Sequence, residues 1–450
     1  AVLVGGYLVF TVPYFGGVDE TAHFYRSYQM STGHLLPERV DKSGFSGACV
    51  PFNVILGVDH DAVSYYRHVL LLEGKRPGPA LPITRAEIAR CPSSTSRGLV
   101  TFSTFGSPVP YLPQAAAILV TRSVGFGVNG MLLAGRLAVL ASYVLVVAVA
   151  IRRSPRAKWA ICATALLPVA LFQSASLSHD AMTTAVALFV LSSALRAAAP
   201  STIASPRRLL VEALVASTVL GMYKPVYIVV AFCYLLPLLG AHRRPQLRIL
   251  AWAPVLTIVV SAAWNQAVRD LWKTDADYFN IHPDPGRQRH ELLTTPWNFA
   301  FDALRTIWEQ LWDWLHTLVS VGSSVTHWPT ALAAVLVVVY AVVALQADRS
   351  EPERGPVGLA SLQRGLLVAV FVAGALLILG ANYVYWTDPG QSVVHGVQAR
   401  YFMPLIAVLP VALGPLGLER LRARTAHLPI ALGLVPALLV FLLSVSFRMH

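Results

Sequence analysis

Two adjacent carboxylates, Asp19 and Glu20, follow the first apolar run of the chain, which extends from Ala1 to Phe15. A carboxylate at the edge of a bilayer is costly unless it has a partner or a function. A carboxylate in that position can take a proton from an acceptor hydroxyl as a general base. We therefore predict that Asp19 and Glu20 are catalytic. The alternative is that Asp19 only caps a helix over residues 20–31.

His23 and Arg26 follow the acidic pair and lie one helical turn apart. Arginine and protonated histidine form charge-assisted hydrogen bonds with phosphate groups. We predict that both side chains bind an anionic part of a substrate. The alternative is that they pair with Asp19 or Glu20, and the residue types alone leave the two interpretations open.

Three later segments on the same predicted side of the membrane carry further candidates. His179 and Asp180 lie at a tight turn between two apolar runs, and Lys224, Arg400 and Tyr401 lie at the starts of two others. Cations on this side break the rule that keeps Lys and Arg in the cytoplasm, and a cation there is well placed for a lipid phosphate. We predict a substrate site. The alternatives are a turn that simply needs polar residues and a lysine that extends to the interface.

The composition is that of a membrane protein. The chain has 450 residues, of which 55% are hydrophobic and only 13% charged, against about 25% charged in a soluble domain. Its mean hydropathy is +0.58. The net charge of +12 does not indicate nucleic-acid binding, because the basic residues cluster in short loops between apolar runs. The chain begins inside an apolar run without a methionine, so we expect a few residues to precede it.

The apolar runs predict an all-α polytopic membrane protein, with residues 1–450 forming one integral membrane domain. We predict about eleven transmembrane helices. Their approximate ranges are 1–15, 130–151, 159–176, 181–197, 209–222, 226–241, 248–267, 328–346, 365–385, 401–418 and 428–447.

The distribution of basic residues predicts the orientation. If the first helix runs outward, five short loops that each hold three or four Lys or Arg residues are cytoplasmic. Counting the run from Val109 to Val124 as a span would reverse this bias, so we predict that it lies as a helix on the outer surface. The protein is then a multi-pass protein of a bacterial plasma membrane, with its active site facing outward.

Two long outer loops follow from this topology, at residues 16–129 and 268–327. The second contains an amphipathic stretch, Trp297–Leu318, which is typical of a helix in the membrane interface. It could be a simple aromatic anchor or could line the substrate site. In the first loop, Cys49 and Cys91 are disulfide candidates, since an outer loop lies in an oxidising compartment. Sequence alone does not give the geometry that a disulfide needs.

No nucleotide or zinc motif is present: the sequence lacks a Walker A loop, a dinucleotide-binding glycine turn and a His-Glu-x-x-His motif. A loose acidic cluster could hold a divalent cation, although its spacing is irregular. It consists of Asp275, Asp277, His282 and Asp284.

These residues resemble the motifs of the DUF2142 family of bacterial membrane proteins, which belongs with the GT-C superfamily of membrane glycosyltransferases. The matching segments are Asp19-Glu20-Thr21-Ala22-His23-Phe24-Tyr25-Arg26, Gly33 and Leu35, Ser107-Pro108-Val109-Pro110-Tyr111-Leu112-Pro113, Ser178-His179-Asp180, Lys224-Pro225 and Gln398-Ala399-Arg400-Tyr401-Phe402-Met403-Pro404. They extend over nearly the whole chain, and each is short.

The resemblance implies a GT-C-like fold with a large first outer loop that carries surface helices. It implies a glycosyltransferase that moves a sugar from a polyprenyl phosphate to an envelope glycan, glycolipid or protein. The catalytic acid of the superfamily corresponds to Asp19, with Glu20 as the second choice, and its phosphate-binding cations correspond to Lys224 and Arg400. No cofactor is certain, but a divalent metal such as Mg or Mn is used by some members. The alternative is a non-catalytic transporter or assembly scaffold for lipid-linked glycans.

Overall fold

The computed structural model describes most of the chain up to residue 413. The described residues are 1–36, 38–39, 46–72, 90–91, 94–101, 107–155, 157–199, 205–240, 245–271, 281–320, 330–345 and 359–413. Most of them are helical. The eleventh predicted span, 428–447, lies outside these residues, as do Asp275 and Asp277 of the loose acidic cluster.

Seventeen α-helices are present in the described part. They are α1 (Val2–Thr11), α2 (Glu20–Ser31), α3 (Phe52–Leu72), α4 (Leu112–Ser123), α5 (Val128–Arg153), α6 (Lys158–Ala165), α7 (Pro168–Ser174), α8 (His179–Ala198), α9 (Pro206–Gly221), α10 (Leu236–Leu239), α11 (Trp252–Val268), α12 (Pro285–Thr294), α13 (Pro296–Leu318), α14 (Thr330–Ala344), α15 (Ser361–Trp386), α16 (Met403–Ile406) and α17 (Val408–Leu413). Short 3-10 helices cover Val109–Tyr111, Pro225–Leu235, Pro245–Ala251, Arg269–Leu271 and Ala399–Phe402.

Four helical segments are long and apolar enough to cross a membrane: Val128–Arg153, His179–Ala198, Leu247–Val268 and Ser361–Trp386. The other predicted spans up to residue 413 coincide with shorter helical segments. Prolines explain several interruptions, because proline lacks the amide proton that continues a helix and disfavours helical backbone before it. Pro168 separates α7 from α6, and Pro225 begins a 3-10 helix. These helices make the protein a helical membrane protein, while the count of eleven spans stays a prediction.

Helix α8 lies at the centre of the bundle. Of its most apolar 18-residue window, 83% of the residues are buried inside the protein, against 33–39% for the other three candidate spans. Small residues dominate its sequence, and they let neighbouring helices approach closely. The large apolar core therefore surrounds α8, and its first residues, His179 and Asp180, are held at one end of that core.

The first predicted outer loop contains a small antiparallel sheet, so the all-α prediction was incomplete. Its strands β1 (Glu38–Arg39), β2 (Ser46–Pro51), β3 (Arg90–Cys91) and β4 (Ser94–Thr101) lie in the order β1-β2-β4-β3. The strands are short, and β2 and β4 pair across about 50 residues of sequence. Such non-local pairing leaves little local signal, which is why the sequence pattern did not predict it.

A disulfide joins Cys49 of β2 to Cys91 of β3, which confirms the predicted pair. The sheet and α3 pack on one face of α2 through a second apolar cluster. Phe24 and Tyr28 of α2, Val50 of β2 and Ile55 of α3 are among its buried members. The sheet and α3 thus hold α2 in place, and the predicted catalytic pair lies where α2 begins, with Asp19 just before the helix and Glu20 as its first residue.

The amphipathic segment Trp297–Leu318 forms a helix, as predicted, within α13. Trp297, Phe301 and Trp308 are exposed, Trp308 by 88%. The other face of α13 packs against the chain near residue 400, where the rings of Trp314 and Phe402 lie 5.1 Å apart. The helix therefore has an apolar face without a protein partner in the described residues, while its opposite face supports the segment that carries Arg400.

Candidate functional site

Most of the predicted site residues meet in one place although they come from four distant segments. The loop before α2 supplies Asp19, and α2 itself supplies His23. The start of α8 supplies His179 and Asp180, and the residue before the 3-10 helix Pro225–Leu235 is Lys224. The 3-10 helix Ala399–Phe402 supplies the remaining two residues, Arg400 and Tyr401.

Charged side chains of alternating sign form the centre of this site. The Nη2 atom of Arg400 donates to Oδ2 of Asp19 at 2.7 Å, and its Nε atom lies 3.5 Å from Oδ2 of Asp180. Lys224 donates to Oδ1 of Asp180 at 2.6 Å. Asp180 therefore holds both cations, and Arg400 links the two acids.

Tyr401 lies beside both cations. Lys224 Nζ is 4.9 Å and the Arg400 guanidinium carbon 5.4 Å from the centre of its ring, which is within the range of cation–π attraction. The carbonyl of Tyr401 accepts a hydrogen bond from the hydroxyl of Tyr227 at 2.9 Å. The ring thus supports both cations through its face, while the backbone is fixed by a buried tyrosine from a neighbouring helix.

His23, Tyr111 and His179 form a compact polar triad next to the charges. The Tyr111 hydroxyl lies 3.0 Å from His23 Nδ1 and 3.3 Å from His179 Nδ1, and the two Nδ1 atoms are 3.5 Å apart. The hydroxyl has one proton, so it can donate to only one of these nitrogens. If both rings are neutral, the histidine that accepts from the hydroxyl carries its proton on Nε2. The other histidine carries its proton on Nδ1, from which it can donate within the triad, and its Nε2 is an acceptor.

The members of the site differ in their access to solvent. The side chain of Asp19 is 57% exposed, whereas that of Arg400 is 7% exposed. Nη1 of Arg400 has no hydrogen-bond partner among the described residues, and Nε2 of His179 lies no closer than 3.5 Å to an oxygen, Oδ1 of Asp180. Buried polar atoms without a hydrogen bond are costly. The site therefore combines an accessible carboxylate with buried polar atoms whose hydrogen-bonding capacity is unused.

The electrostatics keep the carboxylate charged and the histidine neutral. Burial opposes ionisation of Asp19, but the charge of Arg400 and its hydrogen bond outweigh it, so the pKa of Asp19 lies below its ordinary value. Burial lowers the pKa of His23 to about 4, although the charges of Asp19 and Asp180 oppose this shift. At neutral pH, Asp19 is an anion and His23 donates or accepts hydrogen bonds without charge.

Asp19 occupies the N-cap position of α2, but its side chain makes no capping hydrogen bond. Its backbone is left-handed, with φ of 55°, a conformation that costs most residues energy but that Asp tolerates better than most. The helix that the capping hypothesis required does begin at Glu20. The carboxylate of Asp19, however, accepts a hydrogen bond from Arg400 and not from the first amides of the helix. Capping therefore does not explain why an acidic side chain is present at this position.

Glu20 lies in different surroundings from Asp19. Both of its oxygens accept hydrogen bonds from Arg136 of α5, at 2.8 Å and 2.6 Å, and both side chains are fully buried. The amides of Gly17 and Leu177 also donate to this carboxylate. The Glu20 carboxylate therefore accepts four hydrogen bonds, which favours a structural role. Its catalytic role stays a prediction.

Arg26 is buried near the site but bonds elsewhere. Its guanidinium donates to the side chain of Gln29 and to the carbonyl of Leu35, each at 2.6 Å. Those bonds fix the turn that ends α2. Neither bond reaches the charged residues around Arg400, and the substrate contact of Arg26 stays a prediction.

Sequence reasoning missed two residues as members of the site and its support, Tyr111 and Arg136. Tyr111 was recognised only as part of the surface-helix motif. Arg136 is a single arginine in an otherwise apolar predicted span, and such a charge is a signal in itself, because it needs a partner inside the bundle. In the described part of the chain, that partner is Glu20.

The predicted acidic metal cluster is only partly described. Asp284 accepts from the amide of Arg287 as the N-cap of α12, and the amide of His282 donates to Asp388. Across the described ranges, no group of three or more His, Cys, Asp or Glu side chains is arranged to hold a metal ion. The use of a divalent metal therefore stays an expectation from the resemblance.

The family comparison agrees with the sequence motifs. The family model DUF2142, described as a predicted membrane protein, matches residues 2–409. No curated protein and no solved structure matches the chain. The match covers all the residues of the site, and the chain therefore belongs to the DUF2142 family.

Proposed function

We propose that this DUF2142 protein is a membrane glycosyltransferase that moves a sugar from a polyprenyl phosphate to a cell-envelope acceptor. The observation that carries the proposal is the contact between Asp19 and Arg400. An accessible carboxylate is paired with a buried guanidinium that has a further N–H group without a partner among the described residues. These are the two groups that transfer from a lipid phosphate requires, a base for the acceptor and a cation for the leaving phosphate.

In the proposed reaction, Asp19 takes the proton of an acceptor hydroxyl. The acceptor oxygen then forms a bond to the anomeric carbon of the sugar, and the bond from that carbon to the phosphate oxygen breaks. The phosphate leaves with the bonding electron pair. Because Asp19 is ionised at neutral pH, no other group has to activate it.

Arg400 and Lys224 are the proposed partners of the phosphate. Arginine binds phosphate in a two-point geometry, and Lys224 adds a second charge beside it. Asp180 contacts one nitrogen of each cation, Nζ of Lys224 and Nε of Arg400, and so orients both. The exposed position of Asp19 lets it turn from Arg400 towards an acceptor while the phosphate takes its place.

The triad of His23, Tyr111 and His179 lies next to Asp180, whose Oδ1 atom is 3.5 Å from Nε2 of His179. Its members are buried, and the burial of His23 keeps that ring uncharged at neutral pH. Neutral hydrogen-bonding groups in a fixed arrangement suit the hydroxyl groups of a sugar, which carry no charge. We therefore assign this triad to sugar binding and the cation pair to phosphate binding.

The proposal is tested by measuring transfer with purified protein and a panel of polyprenyl-phosphate sugars. We expect Asp19→Asn to lower the rate by a factor of about 100 to 10,000, which is the usual contribution of a positioned base. The matched control is Asp313→Asn, an exposed aspartate on α13 that lies outside the site. Folding of each variant is checked by its unfolding temperature and its elution on size exclusion.

A non-catalytic transporter or scaffold gives a different pattern. It would bind lipid-linked sugars through Arg400 and Lys224, but it would consume no donor, and Asp19→Asn would leave binding unchanged. If only Glu20→Gln abolished transfer in a folded protein, the base would be Glu20. Equal rates for Asp19→Asn and the wild type would rule out Asp19 as the base.

A further inference from the structure

A second charged site lies at the end of α8 opposite to His179 and Asp180. A cavity of about 590 Å³ opens there between the end of α5, the end of α8 and the start of α9. Its lining consists of Arg153, Phe189, Arg196, Arg207, Arg208, Val211, Glu212 and Val215. Four guanidinium groups and one carboxylate therefore surround one space.

Glu212 organises two of the four arginines. Arg153 and Arg196 both donate to its Oε2 atom, at 3.0 Å and 3.1 Å. The Glu212 side chain is only 10% exposed, and the two arginines hold its Oε2 atom in place beside the cavity. Arg207 and Arg208 belong to the first turn of α9 and are exposed at the rim. One carboxylate against four arginines leaves a strong positive charge for an anionic ligand.

The position of the cavity relates it to the membrane. Helix α8 has 20 residues, which corresponds to a length of about 30 Å. That length is close to the thickness of the hydrocarbon core of a bilayer. The arginine cavity is therefore about one bilayer away from the site of Asp19 and Arg400, and it cannot contribute to the chemistry there.

One wall of the cavity is apolar and open. Val211 and Val215 lie one helical turn apart on α9 and are 59% and 58% exposed, and Phe189 of α8 lies beside them. On a helix that belongs to a membrane bundle, such side chains face acyl chains. The cavity thus joins a cationic rim to an apolar wall, which is the arrangement that a phospholipid requires.

We propose that this cavity binds the phosphate headgroup of an anionic membrane lipid. Arg207 and Arg208 contact the phosphate, Arg153 and Arg196 enclose it from the other side, and an acyl chain lies along Val211 and Val215. The distribution of basic residues that orients the protein would place several arginines near this end of the bundle in any case. It does not require them to surround a single cavity, and Arg152, next to Arg153, does not line it.

The test uses the full-length protein in detergent with added phosphatidylglycerol or phosphatidylcholine of the same acyl chains, and with inorganic phosphate as a third arm. A ligand that binds only the folded state raises the unfolding temperature, and at a given concentration it does so more the more tightly it binds. We expect phosphatidylglycerol to raise the unfolding temperature of the wild-type protein more than phosphatidylcholine or inorganic phosphate does. Arg207→Gln combined with Arg208→Gln should weaken the apparent affinity roughly tenfold or more, since each basic residue near an anionic lipid contributes strongly.

The matched control is Arg152→Gln combined with Arg248→Gln. Both of these arginines are exposed, and neither lines the cavity. We expect this double variant to keep the wild-type response. Equal losses in the two double variants would mean that charge, and not the cavity, attracts the lipid. Equal stabilisation by phosphatidylcholine, or by inorganic phosphate at the same concentration, would overturn the assignment to an anionic lipid. None of these outcomes depends on sugar transfer.

Discussion

Arg136 donates to both carboxylate oxygens of Glu20, and neither side chain has any surface exposed to solvent. The remaining donors of Arg136 reach the carbonyls of Val9, Val12 and Pro13, where the first helix ends. A buried ion pair is tolerated only when such additional bonds satisfy it. This pair connects α5 to the loop that presents Asp19, one residue before Glu20.

We expect Glu20→Gln to destabilise the protein by about 3–5 kcal/mol, because it leaves the charge of Arg136 buried without its partner. The free energy of unfolding in mild detergent measures this effect. Arg136→Gln should cost a similar amount. Replacing both residues should cost less than the sum of the two single changes, because no charge then remains unpaired.

Glu309→Gln is the matched control for this prediction. Glu309 pairs with Arg305 on the surface of α13, where both side chains are largely exposed. Exposed pairs contribute about 0–1 kcal/mol. A Glu20→Gln protein as stable as the Glu309→Gln protein would contradict the structural role of Glu20, and it would favour a catalytic one.

Under the proposed function, Arg400 should set the pH range in which Asp19 acts as the base. The rate of transfer should rise with pH through the pKa of Asp19, which Arg400 holds below its ordinary value of 3.8. In Arg400→Gln, burial acts without this opposition, so the pKa rises and the acid limb of kcat/KM moves to higher pH. Arg400→Lys keeps the charge and should keep the limb close to that of the wild type. An unshifted limb in Arg400→Gln would show that another group titrates.

His23 should make the fold sensitive to mild acid. Burial lowers its pKa from 6.5 to about 4, so the unfolded chain binds a proton at this residue more readily than the folded one. The free energy of unfolding should therefore fall as pH drops from about 6.5 to about 4. His23→Gln should reduce this fall. The exposed His34 provides the control, since His34→Gln should leave the pH dependence of the wild type in place.

The disulfide between Cys49 and Cys91 should support the outer loop. It closes a segment of 42 residues, for which loss of the bond costs about 4 kcal/mol in the chain-entropy treatment. Cys49→Ser should lower the unfolding temperature in non-reducing buffer, and a reductant should have the same effect on the wild type. Cys162→Ser changes a cysteine without a disulfide and is the control.

The same cysteines test the predicted orientation. After reduction of intact cells, a thiol reagent that cannot cross membranes should label Cys49 and Cys91. A protein in which these two residues were replaced by serine should remain unlabelled. Labelling only after the membrane is broken would place the loop in the cytoplasm and reverse the topology.

The sequence predicted the residues of the site better than the contacts that hold them in place. Charged residues in otherwise apolar surroundings are rare, so Asp19, Lys224 and Arg400 could be recognised individually. Their shared side of the membrane is predicted from the distribution of basic residues and stays a prediction. That Asp19 contacts Arg400, 381 residues away, and Asp180 contacts Lys224, 44 residues away, could not be derived, because both pairings depend on how the helices pack.

The surroundings of Glu20 and the strands of the sheet could not be predicted from the sequence. Glu20 and Asp19 look equivalent in sequence, and only the position of Arg136 on α5 separates an enclosed carboxylate from an accessible one. The strands are two to eight residues long, and the central pair β2 and β4 is formed across about 50 residues of sequence, so no local periodicity distinguishes these strands from a loop. Most of the apolar helices up to residue 413 were predicted, since an apolar helix carries its signal within its own segment, but α3 lies in a segment predicted as a loop.

The separation of Asp19 from Arg400 along the chain has a consequence for how the protein is made. The two residues are 381 positions apart, so Asp19 leaves the ribosome long before its partner. At roughly 5–20 residues per second, synthesis of the intervening chain takes roughly 20–75 seconds. During that time the carboxylate lacks Arg400, and a chain that terminates before this residue never acquires it. The ion pair is therefore completed only after the segment that carries Arg400 has been synthesised.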